Sequence, residues 1–128
     1  MMVLDASIVI ALVLPDEQSP SHLTGEALIG SIAPTLWPYE VLSALRSAER
    51  SGRIAQGDVR NAASALARLP IEFVHPNYQE VVSTSRACDL SIYDASYLAL
   101  AARYGAPLAT LDSRLASAAA TLGIATIG

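Results

Sequence analysis

Four acidic residues stand in apolar company: Asp5 after "MMVL", Glu40 in "LWPYEVL", Asp94 in "SIYDASYLALAA" and Asp112 after "PLATL". The other acids keep solvent-facing neighbours, as Asp16 and Glu17 do beside Pro15, Glu49 beside Arg50 and Asp58 near Arg60. Each of the four could have a purely structural role. Asp5 suits a turn or cap, Glu40 a dipole-favoured first helical turn and Asp112 a helix N-cap, while Ser91-Ile92-Tyr93-Asp94 fits a capping box. They could also act jointly. Carboxylates gathered within about 4 to 6 Å repel and raise one another's pKa, so such a cluster needs a cation. All-oxygen ligands suit the hard ions Mg²⁺ or Mn²⁺. Zinc fits poorly, because Cys88 is the sole cysteine and His22 and His75 are far apart in sequence. His22 reads as a surface helix residue and His75, before Pro76, as a loop or strand-end residue.

Carboxylate-held Mg²⁺ usually serves phosphate chemistry, since the ion both activates water and offsets phosphoryl charge. All eight basic residues are arginines. The missing lysine argues against response-regulator receivers and haloacid-dehalogenase-like phosphatases, which set a lysine against the phosphate. The phosphatase motif also needs a second Asp two residues after the first, where this chain has Ser7. No glycine-rich phosphate loop is present.

Elements that could gather these acids follow from the pattern. Val3 to Asp5 reads as a buried strand, Ser7 to Leu14 as a helix stopped by Pro15, and Ser19 to Leu28 as a second helix. Ser31 to Leu36 reads as a strand, and Trp37 opens a helix to Ser51 with Pro38 in its first turn and Gly52 at its end. Gln56 to Leu69 is helical, Ile71 to Val74 a strand, and Tyr78 to Asp89 helical. The stretch from Ser91 to Tyr104 is apolar nearly all round and predicts a buried helix, with Tyr93 and Tyr97 on one face. Leu108 to Leu111 is a strand, Arg114 to Leu122 a helix and Ile124 to Ile127 a final strand. Alternation of this kind implies a parallel sheet covered on both faces, with its ligand site outside the carboxyl ends of the strands. Asp5 and Asp112 end two strands there.

The 128 residues suit one domain, 1–128, with no linker or repeat. Hydrophobic residues make up 52%, and the mean hydropathy of +0.39 raises the question of a membrane segment. The most apolar run, Ala6 to Leu14, is far shorter than the roughly 20 residues that span a bilayer, and Asp5 replaces the basic start of a signal peptide. A cytoplasmic protein is the expectation. Cys88, in a helical pattern, suits a small buried hydrophobe. A net charge of −4 argues against holding nucleic acid by bulk electrostatics.

"VLDASIVIALVLPDE", "PTLWPYEVLSALR", "LSIYDASYLALAARYGAPLATLD" and "LGIATI" resemble, in order and over nearly the whole chain, the PIN-domain family and its small VapC-type toxin ribonucleases. The resemblance implies a three-layer α/β/α sandwich with a mostly parallel sheet and an acidic site at the strands' carboxyl edge. It implies that Asp5, Glu40, Asp94 and Asp112 are the metal-binding and catalytic acids, with the Ser7 and Thr110 hydroxyls beside them. It further implies an Mg²⁺- or Mn²⁺-dependent endoribonuclease that leaves 5′-phosphate and 3′-hydroxyl ends. Such proteins are dimeric and inhibited by a cognate VapB-like antitoxin. Whether Glu40 ligates directly or orients water stays open, as does one ion or two. For Ser7 the rival role is an N-cap, and for Thr110 an ordinary β-branched strand residue.

Arg46, Arg50 and Arg53 fall on the polar face of the Glu40 helix, where they could meet RNA phosphates or an antitoxin, or form a solvated face. Tyr39 and Trp37 could stack on a base, with core packing the stronger role for Trp37. Few basic residues suggest a small structured target such as a tRNA or an rRNA loop. A housekeeping RNA-processing nuclease and a catalytically silent binding module are the alternatives.

Overall fold

The computed structural model describes residues 1–14 and 26–128. The expected helix over 19–28 lies mostly outside these residues, as do Pro15 and His22, and 26–30 form turns. The elements run β1 Val3–Leu4, α1 Ala6–Val13, β2 Ser31–Pro34, α2 Trp37–Arg50, α3 Gln56–Leu66, β3 Ile71–Val74, α4 Tyr78–Cys88, α5 Ile92–Tyr104, β4 Leu108–Ala109, α6 Ser113–Thr121 and β5 Thr126–Ile127.

The five strands form one sheet in the order β3-β2-β1-β4-β5. Every pairing is parallel. From β1 the chain moves to β2 and β3 on one side, then crosses back to β4 and β5 on the other. Right-handed crossovers put helices that serve opposite directions on opposite faces, which makes three layers. The packing agrees: α1 contacts α2 and α2 contacts α3, while α4 contacts α5 and α5 contacts α6. The reversal of direction falls between β1 and β4, so a crevice opens there at the carboxyl ends of the two strands.

The inner helix is α5, packed on β1, β2 and β4. Residues Ala95 to Ala101 are all buried, which accounts for a sequence apolar on every side. The expectation fails in the first turn, where Ile92 and Tyr93 are exposed. Tyr93 and Tyr97 therefore do not share one environment. At the other end Gly105 takes φ +59°, and the Ala106 N–H reaches the Ala101 carbonyl at 3.0 Å.

Several elements are shorter than their patterns. The fourth strand ends at Ala109 instead of Leu111 and the third helix at Leu66 instead of Leu69. Thr110 and Leu111 leave the strand because the chain there turns into the α6 cap described below. Cys88, expected to be buried, is half-buried at the end of α4. Arg53 does not belong to the arginine stripe of α2. That helix ends at Arg50, Gly52 takes φ +80°, and Arg53 follows in the turn. No helix of the described residues is long and apolar enough to cross a membrane.

Leu98 lies at the centre of α5 and is fully buried. Leu98→Ala is expected to cost about 2–5 kcal/mol in urea unfolding; a loss below about 1 kcal/mol would show that α5 is not the packed centre of the fold.

Candidate active site

Asp5 caps no helix. It occupies the N-cap position of α1, but its side chain accepts no capping hydrogen bond. Instead Oδ2 accepts from the Ser7 hydroxyl at 2.6 Å and the Thr110 hydroxyl at 2.7 Å. Each hydroxyl is fixed in turn by a backbone donor, Ser7 Oγ accepting from the Leu111 N–H at 2.9 Å and Thr110 Oγ1 from the Asp112 N–H at 3.0 Å. The Asp5 N–H donates to the Ala109 carbonyl at 2.9 Å, so the network ties together the ends of β1 and β4. Ser7 is thus not an N-cap and Thr110 not merely a strand residue. Both hydroxyls meet Oδ2, which leaves Oδ1 of Asp5 clear of them.

Asp112 does cap its helix: Oδ1 accepts from the N–H groups of Arg114 at 2.9 Å and Leu115 at 3.3 Å. Ser91 caps α5, its hydroxyl accepting from the Asp94 N–H at 3.1 Å. The Asp112 cap is therefore real, and of the capping box expected at Ser91 and Asp94 the Ser91 half is formed. They fix the first turns of α5 and α6, and the two carboxylates still feel each other's charge.

Glu40, in the first turn of α2, accepts a hydrogen bond at Oε1 from the Tyr97 hydroxyl of α5. This contact joins helices from opposite faces of the sheet. Tyr97 was legible only as a core residue. The available signal was its position three residues after Asp94, which puts the two on neighbouring parts of one helix surface. The phenol is held far above its ordinary 10.0 by burial, then by the hydrogen bond and charge of Glu40, so it remains a donor.

The four acids interact. Burial pushes Asp5 above its ordinary 3.8; the Ser7 and Thr110 hydroxyls pull it back, and the charges of Asp94 and Asp112 push it up again. Glu40 is raised by burial, eased by Tyr97 and raised by the charges of Asp5 and Asp94. Asp94 is raised by burial and by Asp112, and eased by Ser91 and Arg114. Nothing in the sequence marked Arg114. Its guanidinium donates to the Asp89 carbonyl at 2.9 Å, and Asp89 is the one non-glycine described residue with positive φ, at 51°.

No group of three or more His, Cys, Asp or Glu side chains among the described residues is already arranged to hold a metal ion. The donor chemistry nevertheless fits Mg²⁺ or Mn²⁺. All donors are oxygens, they carry mutually repelling charge, and Mg²⁺ keeps several waters and needs only one or two carboxylates.

Arg46 and Arg50 lie elsewhere. At about 1.5 Å per residue they sit about 9 and 15 Å along α2 from Glu40, and Arg46 is paired with Glu49. Trp37 is buried in the core, 5.7 Å from the Phe73 ring, whereas Tyr39 is exposed.

A parallel α/β sheet with carboxylates at its switch point is an architecture shared with known proteins. The chain belongs to the PIN-domain family, whose pattern matches residues 2–121. Its relatives there are named VapC ribonucleases. The VapC ribonuclease Mb0985 of Mycobacterium bovis is 33% identical over 90% of this chain and 88% of its own length. Ribonuclease VapC3 of Pyrobaculum aerophilum is 31% identical over 90% of this chain and 92% of its own. Among solved structures, PAE2754 from Pyrobaculum aerophilum superposes with a TM-score of 0.77 at 24% identity, covering 98% of this chain and 82% of that one. Mycobacterium tuberculosis VapC20, a Sarcin-Ricin loop cleaving toxin, gives 0.63 at 13% identity, covering 92% and 95%. Both support the fold.

The raised carboxyl groups set a sign for stability. An acid whose folded pKa exceeds its unfolded value stabilises the fold below the unfolded value and loses that contribution as pH rises through the folded one. Asp94→Asn, which keeps the Ser91 cap, should therefore raise the melting temperature of EDTA-treated protein at pH 7.5. The gain should fade towards pH 3.5. An equal gain at both pH values, or a loss at pH 7.5, would contradict the repulsion.

Proposed function

We propose that residues 1–128 act as one PIN domain and form a divalent-metal-dependent endoribonuclease, the toxin of a type II toxin-antitoxin pair. The observation that carries this reading is the Asp5 carboxylate, buried at the β1–β4 switch point with one oxygen fixed by two hydroxyls. It faces the charges of Asp94 and Asp112. Its family relatives, named as ribonucleases over nine-tenths of the chain, support the same reading.

Asp5, Asp94 and Asp112 would hold Mg²⁺, with Mn²⁺ able to substitute, and Glu40 would ligate or orient water. A bound divalent ion supplies Lewis-acid charge at the phosphoryl oxygen and makes water a better nucleophile. The chain's own residues do the positioning. Ser7 and Thr110 hold Oδ2 of the Asp5 carboxylate and leave Oδ1 clear of them. Tyr97 occupies Oε1 of Glu40, and Oε2 would be the oxygen left to ligate the ion or to orient a water. The caps of α5 and α6 hold the backbones from which Asp94 and Asp112 project.

The substrate in this reading is RNA, with a tRNA or rRNA element as the class of target. The partner is a VapB-like antitoxin that covers the site, and the working form is a cytoplasmic homodimer. Arg46, Arg50 and Arg53, away from the acids, would then serve the antitoxin or the periphery of the RNA.

Cleavage of total RNA by antitoxin-free protein, with product ends mapped, tests the activity. Discrete cuts are expected with Mg²⁺ or Mn²⁺ and none with EDTA. Asp5→Asn and Asp94→Asn should each lose more than the about 10–100-fold that removal of an outer partner costs, and Ser7→Ala or Thr110→Val should fall within that range. Cutting that survives EDTA and Asp94→Asn would refute the mechanism.

A further inference from the structure

Three of the four acids are preceded in sequence by a large apolar side chain that is exposed: Tyr39 before Glu40 at 73% exposure, Tyr93 before Asp94 at 62%, and Leu111 before Asp112 at 42%. Only Leu4, before Asp5, is buried. Tyr39 and Tyr93 lie in the first turns of α2 and α5, and helical side chains lean towards their helix N-terminus. Both rings therefore stand at the end of their helix that carries the site acid. The two helices are tied together close by, since Tyr97, one turn after Tyr93, donates to Glu40. Two exposed aromatic side chains thus stand at the helix ends that carry two of the site acids.

Positive charge near that centre is scarce. The only cation among the groups that shift Asp5, Glu40 and Asp94 is Arg114. A nucleic acid meeting this edge finds few phosphate partners but two exposed aromatic faces. Base-on-aromatic stacking is largely indifferent to salt and works on unstacked bases, since a base inside a duplex offers no free face.

We propose that Tyr39 and Tyr93 are substrate-binding residues that stack on nucleobases flanking the bond to be cut. This rests on the ribonuclease reading above and adds the feature by which the site grips RNA. The rings supply the affinity that basic residues supply elsewhere, and they restrict the enzyme to strands whose bases are already splayed. Duplex RNA is then excluded by its stacking and not by its charge.

The test uses the full chain carrying Asp94→Asn, with Mg²⁺, titrated against a single-stranded RNA of about 12 nucleotides containing one 2-aminopurine, enough to cover the site size of a small single-strand binder. Stacking is read as a change in its fluorescence. Tyr39→Ser and Tyr93→Ser should each weaken binding about five- to tenfold and reduce the fluorescence change. Tyr39→Phe and Tyr93→Phe, which keep the ring, should bind as the parent does. The salt dependence should be the same in all of these, whereas Arg114→Gln should flatten it by about one ion. Equal binding by the Ser and Phe variants overturns the proposal, and so does a Ser variant that flattens the salt dependence. A Ser variant that binds RNA normally but escapes inhibition by a partner protein also overturns it, assigning the rings to protein contact. If the parent chain neither binds this RNA nor cleaves total RNA when Asp94 is intact, the ribonuclease reading itself falls. Cleavage that persists alongside ring-independent binding removes the stacking proposal alone.

Discussion

The Asp5 carboxylate is drawn out of water in the crevice between β1 and β4 and held by two hydroxyls on a single oxygen, Ser7 at 2.6 Å and Thr110 at 2.7 Å. Burying a charge is costly unless it is hydrogen-bonded or paired, and here the hydrogen bonds offset only part of that cost, because the neighbouring charges are negative. The same two hydroxyls accept from the N–H groups of Leu111 and Asp112. The start of α1 and the loop after β4 are thus locked by one small network, and Asp112 is placed by the residues that hold Asp5.

Around this network the fold brings in acids from elements that are distant in sequence. Glu40 arrives on α2 from one face of the sheet and Asp94 on α5 from the other, and the Tyr97 hydroxyl joins Glu40 to the helix that carries Asp94. A fully buried tyrosine on a rigid inner helix holds that junction. Stability is given up in return. Three carboxylates are raised by burial and by the charge of neighbouring acids, a conflict that a cation would resolve and that a merely structural arrangement would not retain.

Much of this was legible in the residues, for specific reasons. Short apolar runs alternating with helical patterns implied the parallel sheet, and Asp5 stood out because an acid closing a buried strand must be compensated at the sheet edge. Asp94 was conspicuous because α5 is apolar all round. What was not legible depended on three-dimensional neighbours. Tyr97 looks like core until its hydroxyl is seen to meet Glu40, and Arg114 looks like a surface residue of α6 until its approach to Asp94 is known. The arginine stripe fails at Arg53, because the reversal at Gly52 ends the helical register that placed it beside Arg46 and Arg50. Exposure of Tyr93 was hidden for a similar reason: periodicity assigns a face, but not which turns of that face are covered.

A divalent cation must compensate these carboxylates if the crevice is a nuclease centre. Calorimetric titration of Mn²⁺ into EDTA-stripped protein near pH 5, repeated in buffers of different ionisation enthalpy, counts the protons that binding displaces. Because the carboxyl groups hold protons above their ordinary range, saturable binding with net proton release is expected, abolished in Asp5→Asn. No binding, or binding that releases no protons and survives Asp5→Asn, would contradict it.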